Sequence, residues 1–310
     1  MDNNQKVVIL TGGGGGAKLA YGLAQLLPPE KLTIIVNTGD DFEHLGLHIS
    51  PDLDKVMYTL AGLGYPGQTL KHESWNMMAG LARYAGPTWY QLGDRDLATQ
   101  LLRSNWLREG YPLSWITQEL SRRLGVRHPL LPMSDERVRT LVQTAKNEMG
   151  LIEYLAQKQP PEARGIRFDG AEQAQPGREV INAVREADVI ILGPSNPLLS
   201  LGPILALPIL HRMIVASRAQ KIGVSCFVKG GSLAAPVTKI MAAADAKASA
   251  VGMAAYLGEV LTGFVLDHAD EAQQDTLTEL GLRTLVTGIT RSNEEMVGLA
   301  REVLEFAENR

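Results

Sequence analysis

Residues 6–36 read KVVILTGGGGGAKLAYGLAQLLPPEKLTIIV. Residues 6–10 are apolar and rich in β-branched side chains, the pattern of a strand buried on both faces, and glycines follow at once. Residues 17–27 have helical spacing and end at Pro28-Pro29, which cannot continue a helix. Residues 32–36 form a second β-branched run. Strand, glycine loop, helix and strand make a βαβ unit, with parallel strands and a right-handed crossover.

The same grammar returns further along. A helix is predicted over 179–186 and a buried strand over 188–192 (DVIIL), running into Gly193-Pro194-Ser195-Asn196-Pro197. Further strands are expected at 213–216, 222–228, 263–266 and 284–286, with a closing helix over 293–308. Strands alternating with helices at both ends predict an α/β fold, a Rossmann-like parallel sheet with helices on both faces. Between the two halves, 54–61, 73–84, 96–106 and 114–124 read as helices, and 137–144 with 165–169 as a small strand pair. The expected organisation is a single domain over 1–310, with a mostly helical lobe at about 63–175 inserted in the core.

Composition narrows the function. The chain has 310 residues, 45% apolar and 21% charged, so a core can form without disulfides or metal staples. A net charge of -4 with no long basic run argues against nucleic acid as a partner. Cys226 is the one cysteine, which fits a reducing, cytoplasmic setting. The start, MDNNQK, lacks the charge and apolar run of a signal peptide, and no apolar stretch reaches membrane-spanning length.

Five segments offer chemistry. In Thr11-Gly12-Gly13-Gly14-Gly15-Gly16-Ala17-Lys18, the absence of Cβ atoms lets backbone N–H groups approach a phosphate, with a helix N-terminus behind them. The alternative is a mobile turn. Lys18 precedes Leu19 rather than Ser or Thr, so this is not a Walker loop. After the second strand, Asp40, Asp41, Asp52 and Asp54 fall within fifteen positions. Such a set suits Mg²⁺, usually held by one or two carboxylates plus phosphates. Helix capping by Asp52 or Asp54 is the competing reading.

The third segment is Gly93-Asp94-Arg95-Asp96, after a possible strand at 89–90, with Trp75 and Trp89 nearby as stacking surfaces. A surface ion pair and core tryptophans are the plain alternatives. The fourth is Gly193-Pro194-Ser195-Asn196-Pro197, a stiff loop whose Ser195 and Asn196 side chains can hydrogen-bond a ligand. The fifth, Lys229-Gly230-Gly231 with Lys239 downstream, suits a phosphate or carboxylate. No His-Glu-x-x-His metal motif or Gly-x-Ser-x-Gly hydrolase elbow occurs.

Taken together, TGGGGGAK at 11–18, VNTGDDFEHLGLHISPDLDKVMYTLAG at 36–62, PTWYQLGDRDLATQLLR at 87–103 and GPSNPLLSLGPIL at 193–205 resemble the 2-phospho-L-lactate transferase family over essentially the whole chain. The resemblance implies a Mg²⁺-dependent enzyme, usually a homodimer. It implies transfer of a phospho-acid (2-phospho-L-lactyl, phosphoenolpyruvyl or 3-phosphoglyceryl) from a guanosine diphospho donor to the terminal hydroxyl of the deazaflavin Fo. GMP leaves, and the product is a coenzyme F-420 precursor. Gly12 to Gly16, Lys18, Gly193, Ser195 and Asn196 would hold the donor. Asp40, Asp41, Asp52 and Asp54 would face the metal and the hydroxyl. Trp75, Trp89, Asp94 and Arg95 would border the deazaflavin.

The chain departs from the family pattern at Cys226, at Ala234-Ala235 and at Gln100, which replaces a histidine. With the family's lysine lost at 234, Lys229 or Lys239 is expected to take the donor's carboxylate. A nicotinamide dehydrogenase and a nucleotide-sugar-binding regulator with a related core are the alternative readings; the Gly93–Asp96 turn and the tryptophans favour the transferase.

Overall fold

Val7–Thr11 (β1) and Leu32–Val36 (β2) pair in parallel with register Val7 to Leu32, joined by the helix Gly13–Leu26 (α1). The computed structural model describes residues 5–64, 70–229, 235–289 and 293–309. Leu130–Pro132 (β3), Val189–Leu192 (β4), Gln220–Val224 (β5), Gly263–Leu266 (β6) and Arg283–Val286 (β7) complete a seven-stranded sheet in the order β3-β2-β1-β4-β5-β6-β7. Every pairing in it is parallel.

Alternation along β1 sorts its side chains to two faces. Val7 and Ile9 meet Leu19, Leu23, Val56, Ile116 and Val303, from α1, the helix Pro51–Leu60 (α2), Leu113–Arg123 and the closing Asn293–Glu308. Val8 and Leu10 meet Val184, Leu210, Ile214 and Met253 on the other face. At Gly22 α1 passes so close to the closing helix that a Cβ would strike the Met296 carbonyl. The α/β, doubly covered parallel sheet expected from the sequence is therefore what forms. Among the described residues no single helix is long and apolar enough to cross a membrane.

Several local expectations are corrected. The 213–216 segment is the end of the helix Pro208–Ala216, started by a proline and burying Leu210 and Ile214 one turn apart. The 222–228 strand stops at Val224, where the Ser225 hydroxyl turns the chain by bonding the Phe227 backbone. The 89–90 pair forms no strand.

The expected helical lobe is divided. Asn76–Arg83 (α3), Asp94–Arg108 (α4) and Leu113–Arg123 are helical, but β3 then enters the main sheet beside β2. After β3 comes a three-stranded antiparallel sheet of Arg139–Thr144, Glu148–Gly150 and Ala163–Asp169. β3 is only three residues long, too short for periodicity to announce it.

Candidate active site

Strand order reverses between β1 and β4: β2 and β3 lie on one side, β5 to β7 on the other. Loops leaving two such strands diverge and open a crevice at their carboxyl ends, where α/β sheets bind ligands. One of these loops is the glycine run and the other is Gly193 to Pro197. The Ser195 hydroxyl donates to the Gly12 carbonyl at 2.8 Å, accepts from the Gly12 N–H at 3.2 Å and lies 3.3 Å from the Thr11 hydroxyl. Asn196 accepts from the Leu198 and Leu199 N–H groups and so caps its own short helical turn. Both side chains thus shape the crevice wall.

The glycine run is not a mobile loop. Gly13 to Gly16 form the first turn of α1, and Gly13 alone among the run has a left-handed backbone, φ 65°. A Cβ on Gly16 would overlap the Thr11 and Ser195 side chains, and one on Gly15 the Pro194 carbonyl. The glycines let the helix start press against the second loop. Gly16→Ala is expected to cost about 1–3 kcal/mol by overpacking, read by urea denaturation; an unchanged midpoint would contradict this account. The first turn of α1 carries no acidic residue and no side-chain cap, so the positive end of its dipole meets the crevice uncompensated by its own helix. Lys18, on the second turn, is half-buried.

The four carboxylates have different surroundings. Asp52, buried in the first turn of α2, accepts from the Gly13 N–H at 2.8 Å and from Asn37 Nδ2 at 3.0 Å, which fixes the glycine turn. Burial raises its pKa. Asp54 pairs with the buried Arg103 of α4 and accepts from Gln100 Nε2 at 2.8 Å. Asp41 Oδ2 is held by His48 Nε2 at 3.0 Å and Ser50 Oγ at 2.8 Å, while its Oδ1 is buried without a partner. Asp40 Oδ1 is likewise buried without a partner. Burial, then the charge of Asp52, pushes the Asp40 pKa well above the usual carboxylate range.

Of the four, Asp40 and Asp41 keep an orphaned buried oxygen. Two such oxygens close to Asp52, which bonds the first turn of α1, fit a cation shared with a ligand's phosphates. Among the described residues no group of three His, Cys, Asp or Glu side chains forms a metal cage, so the protein's own donors would fill only part of a shell. Lys55, which the sequence reading passed over, stands on α2 where its charge acts on both Asp40 and Asp52.

Beyond α2 lies a cavity of about 280 Å³ lined by Lys55, Tyr58, Glu73, Tyr90 and Asp96 among others. Asp96 accepts from Tyr58 Oη at 2.7 Å and Gln100 Nε2 at 2.9 Å, and burial with Asp54 raises its pKa to about 6. Trp89 packs with Phe42, His44 and Tyr90, ring centroids 4.9 Å apart for His44 and 5.8 Å for the others. It remains 40% exposed, as does Trp75 at the start of α3.

Asp94 and Arg95 are engaged within the fold. Asp94 accepts from the Asn76 and Met77 N–H groups and from Ser74 Oγ, capping α3, and these bonds hold its pKa low. Arg95 donates to the Lys71 carbonyl at 2.6 Å.

Lys229 is exposed, and its backbone N–H donates to Asp270. Lys239 sits in the middle of the helix Ala235–Ala243, its Nζ 3.3 Å from the Pro160 carbonyl. The Gly230-Gly231 turn and Ala234 lie outside the described residues. A larger cavity, about 660 Å³, opens at the opposite, amino edge of β4 and β5 between Arg185, Asp188, Met213 and Arg218. None of the singled-out motifs reaches it, so volume alone does not locate the site.

The chain is similar to known proteins over nearly its whole length. A phosphoenolpyruvate transferase from Streptomyces griseus is 37% identical, covering 98% of each chain. A 2-phospho-L-lactate transferase from Methanopyrus kandleri is 34% identical over 94% of each, and one from Methanosarcina mazei 33% identical over 89% of this chain and 93% of that one. A solved UPF0052-family protein from Bacillus halodurans shares the fold, with a TM-score of 0.63 and 17% identity over 97% of this chain and 98% of the other. The family model described as 2-phospho-L-lactate transferase CofD matches residues 7–287. That match opens on β1 and closes just past β7, taking in the whole sheet, and the chain belongs to the 2-phospho-L-lactate transferase CofD family, a family of enzymes.

Proposed function

We propose that this enzyme transfers a phospho-acid from a guanosine diphospho donor to the terminal hydroxyl of the deazaflavin Fo, releasing GMP and giving a coenzyme F-420 precursor. The observation that carries the reading is the pair of orphaned oxygens on Asp40 and Asp41, close to Asp52, the carboxylate that bonds the Gly13 N–H at the start of α1. The relatives' names support the transferred group, since both phosphoenolpyruvate and 2-phospho-L-lactate are three-carbon acids phosphorylated next to the carboxylate.

In this reading the crevice between β1 and β4 takes the donor's diphosphate. The first turn of α1 supplies N–H groups and dipole to it. Asp52 keeps the Gly13 turn in place. Asp40 and Asp41 would hold Mg²⁺, which when bound supplies charge neutralisation to the diphosphate. Lys55 adds a positive charge on the α2 side. The cavity lined by Tyr90, against which Trp89 packs, takes the flat deazaflavin. In-line displacement at phosphorus needs mainly alignment and charge stabilisation, which such a site provides without a nucleophilic side chain.

A dehydrogenase would leave the orphaned Asp40 and Asp41 oxygens unused. A regulator would bind nucleotide without consuming it. Calorimetry with GDP, with and without Mg²⁺, followed by mass analysis of Fo incubated with each donor, separates the three. GDP binding strengthened by Mg²⁺ and a phospho-acid adduct of Fo are expected. Binding with no adduct for any donor would leave the regulator, and preference for NAD the dehydrogenase. A homodimer and a cytoplasmic location remain part of the proposal, the former checked by sedimentation.

A further inference from the structure

Two small cavities meet at Asp41, Glu43, Arg137 and Arg139. One, about 280 Å³, is also lined by Gly39, Asp40 and Thr140; the other, about 190 Å³, by Thr38 and His48. Arg139 opens the strand Arg139–Thr144 and lies half-buried on the shared wall. Among the described residues its side chain makes one hydrogen bond, from Nη1 to the Val138 carbonyl at 3.0 Å, and no salt bridge. Arg137 differs, being exposed and paired with Asp169 at 3.2 Å.

A guanidinium has five N–H donors in a planar fork and stays charged in proteins. Here most of them have no acceptor among the described residues, the group is half-buried, and burial pushes its pKa down. The Thr140 hydroxyl, 1% exposed, lines the larger cavity and has no partner; Thr38, 3% exposed, repeats this in the smaller one. The lining of the 280 Å³ cavity therefore carries two unlike kinds of group. Asp40 and Asp41 present unpartnered acceptors, suited to a cation, and Arg139 with Thr140 presents donors, suited to an anion. Through Asp40 it adjoins the charge of Asp52, which holds the glycine turn.

We propose that Arg139 binds the carboxylate of the transferred acid, with Thr140 beside it, and so selects donors that carry one; this rests on the phospho-acid transfer reading. A carboxylate offers two coplanar oxygens that match the guanidinium fork. It also stands a short, fixed distance from the phosphate in a 2-phosphorylated acid, so one cavity spans both groups. The alternative cations are worse placed. Lys239 Nζ is bonded to Pro160, and Lys229 is exposed beyond β5.

The test compares GDP with the phosphoenolpyruvyl and phospholactyl guanosine diphospho donors on the parent, Arg139→Ala, Arg139→Lys and Thr140→Val. Arg139→Ala should weaken both acid-bearing donors by roughly 10–100-fold, the scale of a charge-assisted hydrogen-bonded pair, while GDP affinity moves less than about twofold. Arg139→Lys should restore part of the loss. Thr140→Val should melt no earlier than the parent, because its hydroxyl has no partner to lose, yet bind both donors more weakly. Equal losses for GDP and the donors in Arg139→Ala, or unaltered donor affinity in both Arg139→Ala and Thr140→Val, would overturn the assignment while leaving the transfer reading intact. Failure of the parent itself to bind GDP or to modify Fo would overturn the transfer reading and this one with it.

Discussion

Asp40→Asn is expected to lower turnover by roughly 100-fold or more and yet melt no earlier than the parent. The two halves of this expectation have one cause. Asp40 Oδ1 is buried without a partner, so the folded chain tolerates the charge at a cost. Burial first, and Asp52 second, raise its pKa, while Asn37 offsets part of the rise. The metal-free folded state therefore binds a proton more readily than the unfolded chain. Above the ordinary carboxylate pKa, stability falls as pH rises towards the raised value, and a neutral amide removes that penalty.

The readout is a pair of thermal melts in chelator at neutral pH, set beside the rate of Fo modification. Adding Mg²⁺ and GDP should then raise the parent's midpoint and move that of Asp40→Asn much less, since ligands stabilise only the state that binds them. A variant that melts earlier but transfers at the parental rate would make Asp40 structural. Asp41→Asn provides a contrast. Its Oδ2 accepts from His48 and Ser50, so replacement should reduce both activity and stability.

Arg103→Met should destabilise the protein by about 3–5 kcal/mol, the usual effect of stranding one partner of a buried ion pair. Arg103 is 1% exposed and binds Asp54 through both terminal nitrogens, with Gln100 Oε1 a further acceptor at 2.6 Å. The pair ties α4 to α2 across 49 positions of sequence. At roughly 1.5 °C per kcal/mol for a chain of this size, the midpoint should fall by about 5–8 °C.

Asp54→Asn combined with Arg103→Met should recover a large part of the loss, because the second change removes the stranded charge. A double variant as unstable as the sum of the single ones would show that the two residues act independently. Loss of Arg103 also releases Gln100, and with it Asp96 on the wall of the cavity proposed for the deazaflavin. Any fall in Fo affinity should therefore track stability across this series, which separates it from the Asp40 series, where the two diverge.

The sequence by itself determined most of the sheet and the loops that border the candidate crevice. The 6–36 stretch fixes β1, α1 and β2, and 188–192 with the loop after it supplies β4. Buried parallel strands read as apolar runs, and glycine or proline directly after them marks the carboxyl edge. Those signals are local, so one sequence carries them. Helices shorter than about three turns and strands of three residues do not announce themselves this way. That is why β3 went unread and why 213–216, apolar and β-branched in part, read as a strand instead of a helix end.

The chemistry of individual side chains was decided by tertiary structure. Asp40, Asp41, Asp52 and Asp54 look alike in sequence, and only folding gives two of them orphaned oxygens, one a glycine turn to hold and one a buried arginine. Asp94 looked like part of a ligand turn and instead caps a helix eighteen positions earlier. Ser195 reaches Gly12 across 183 positions, and Arg139 stands near Asp41 only because a separate antiparallel sheet folds back to the crevice. A residue's hydrogen-bond partners and its distance from water depend on contacts between remote segments. No local pattern encodes those contacts, whereas the periodicity that builds each strand or helix is written residue by residue.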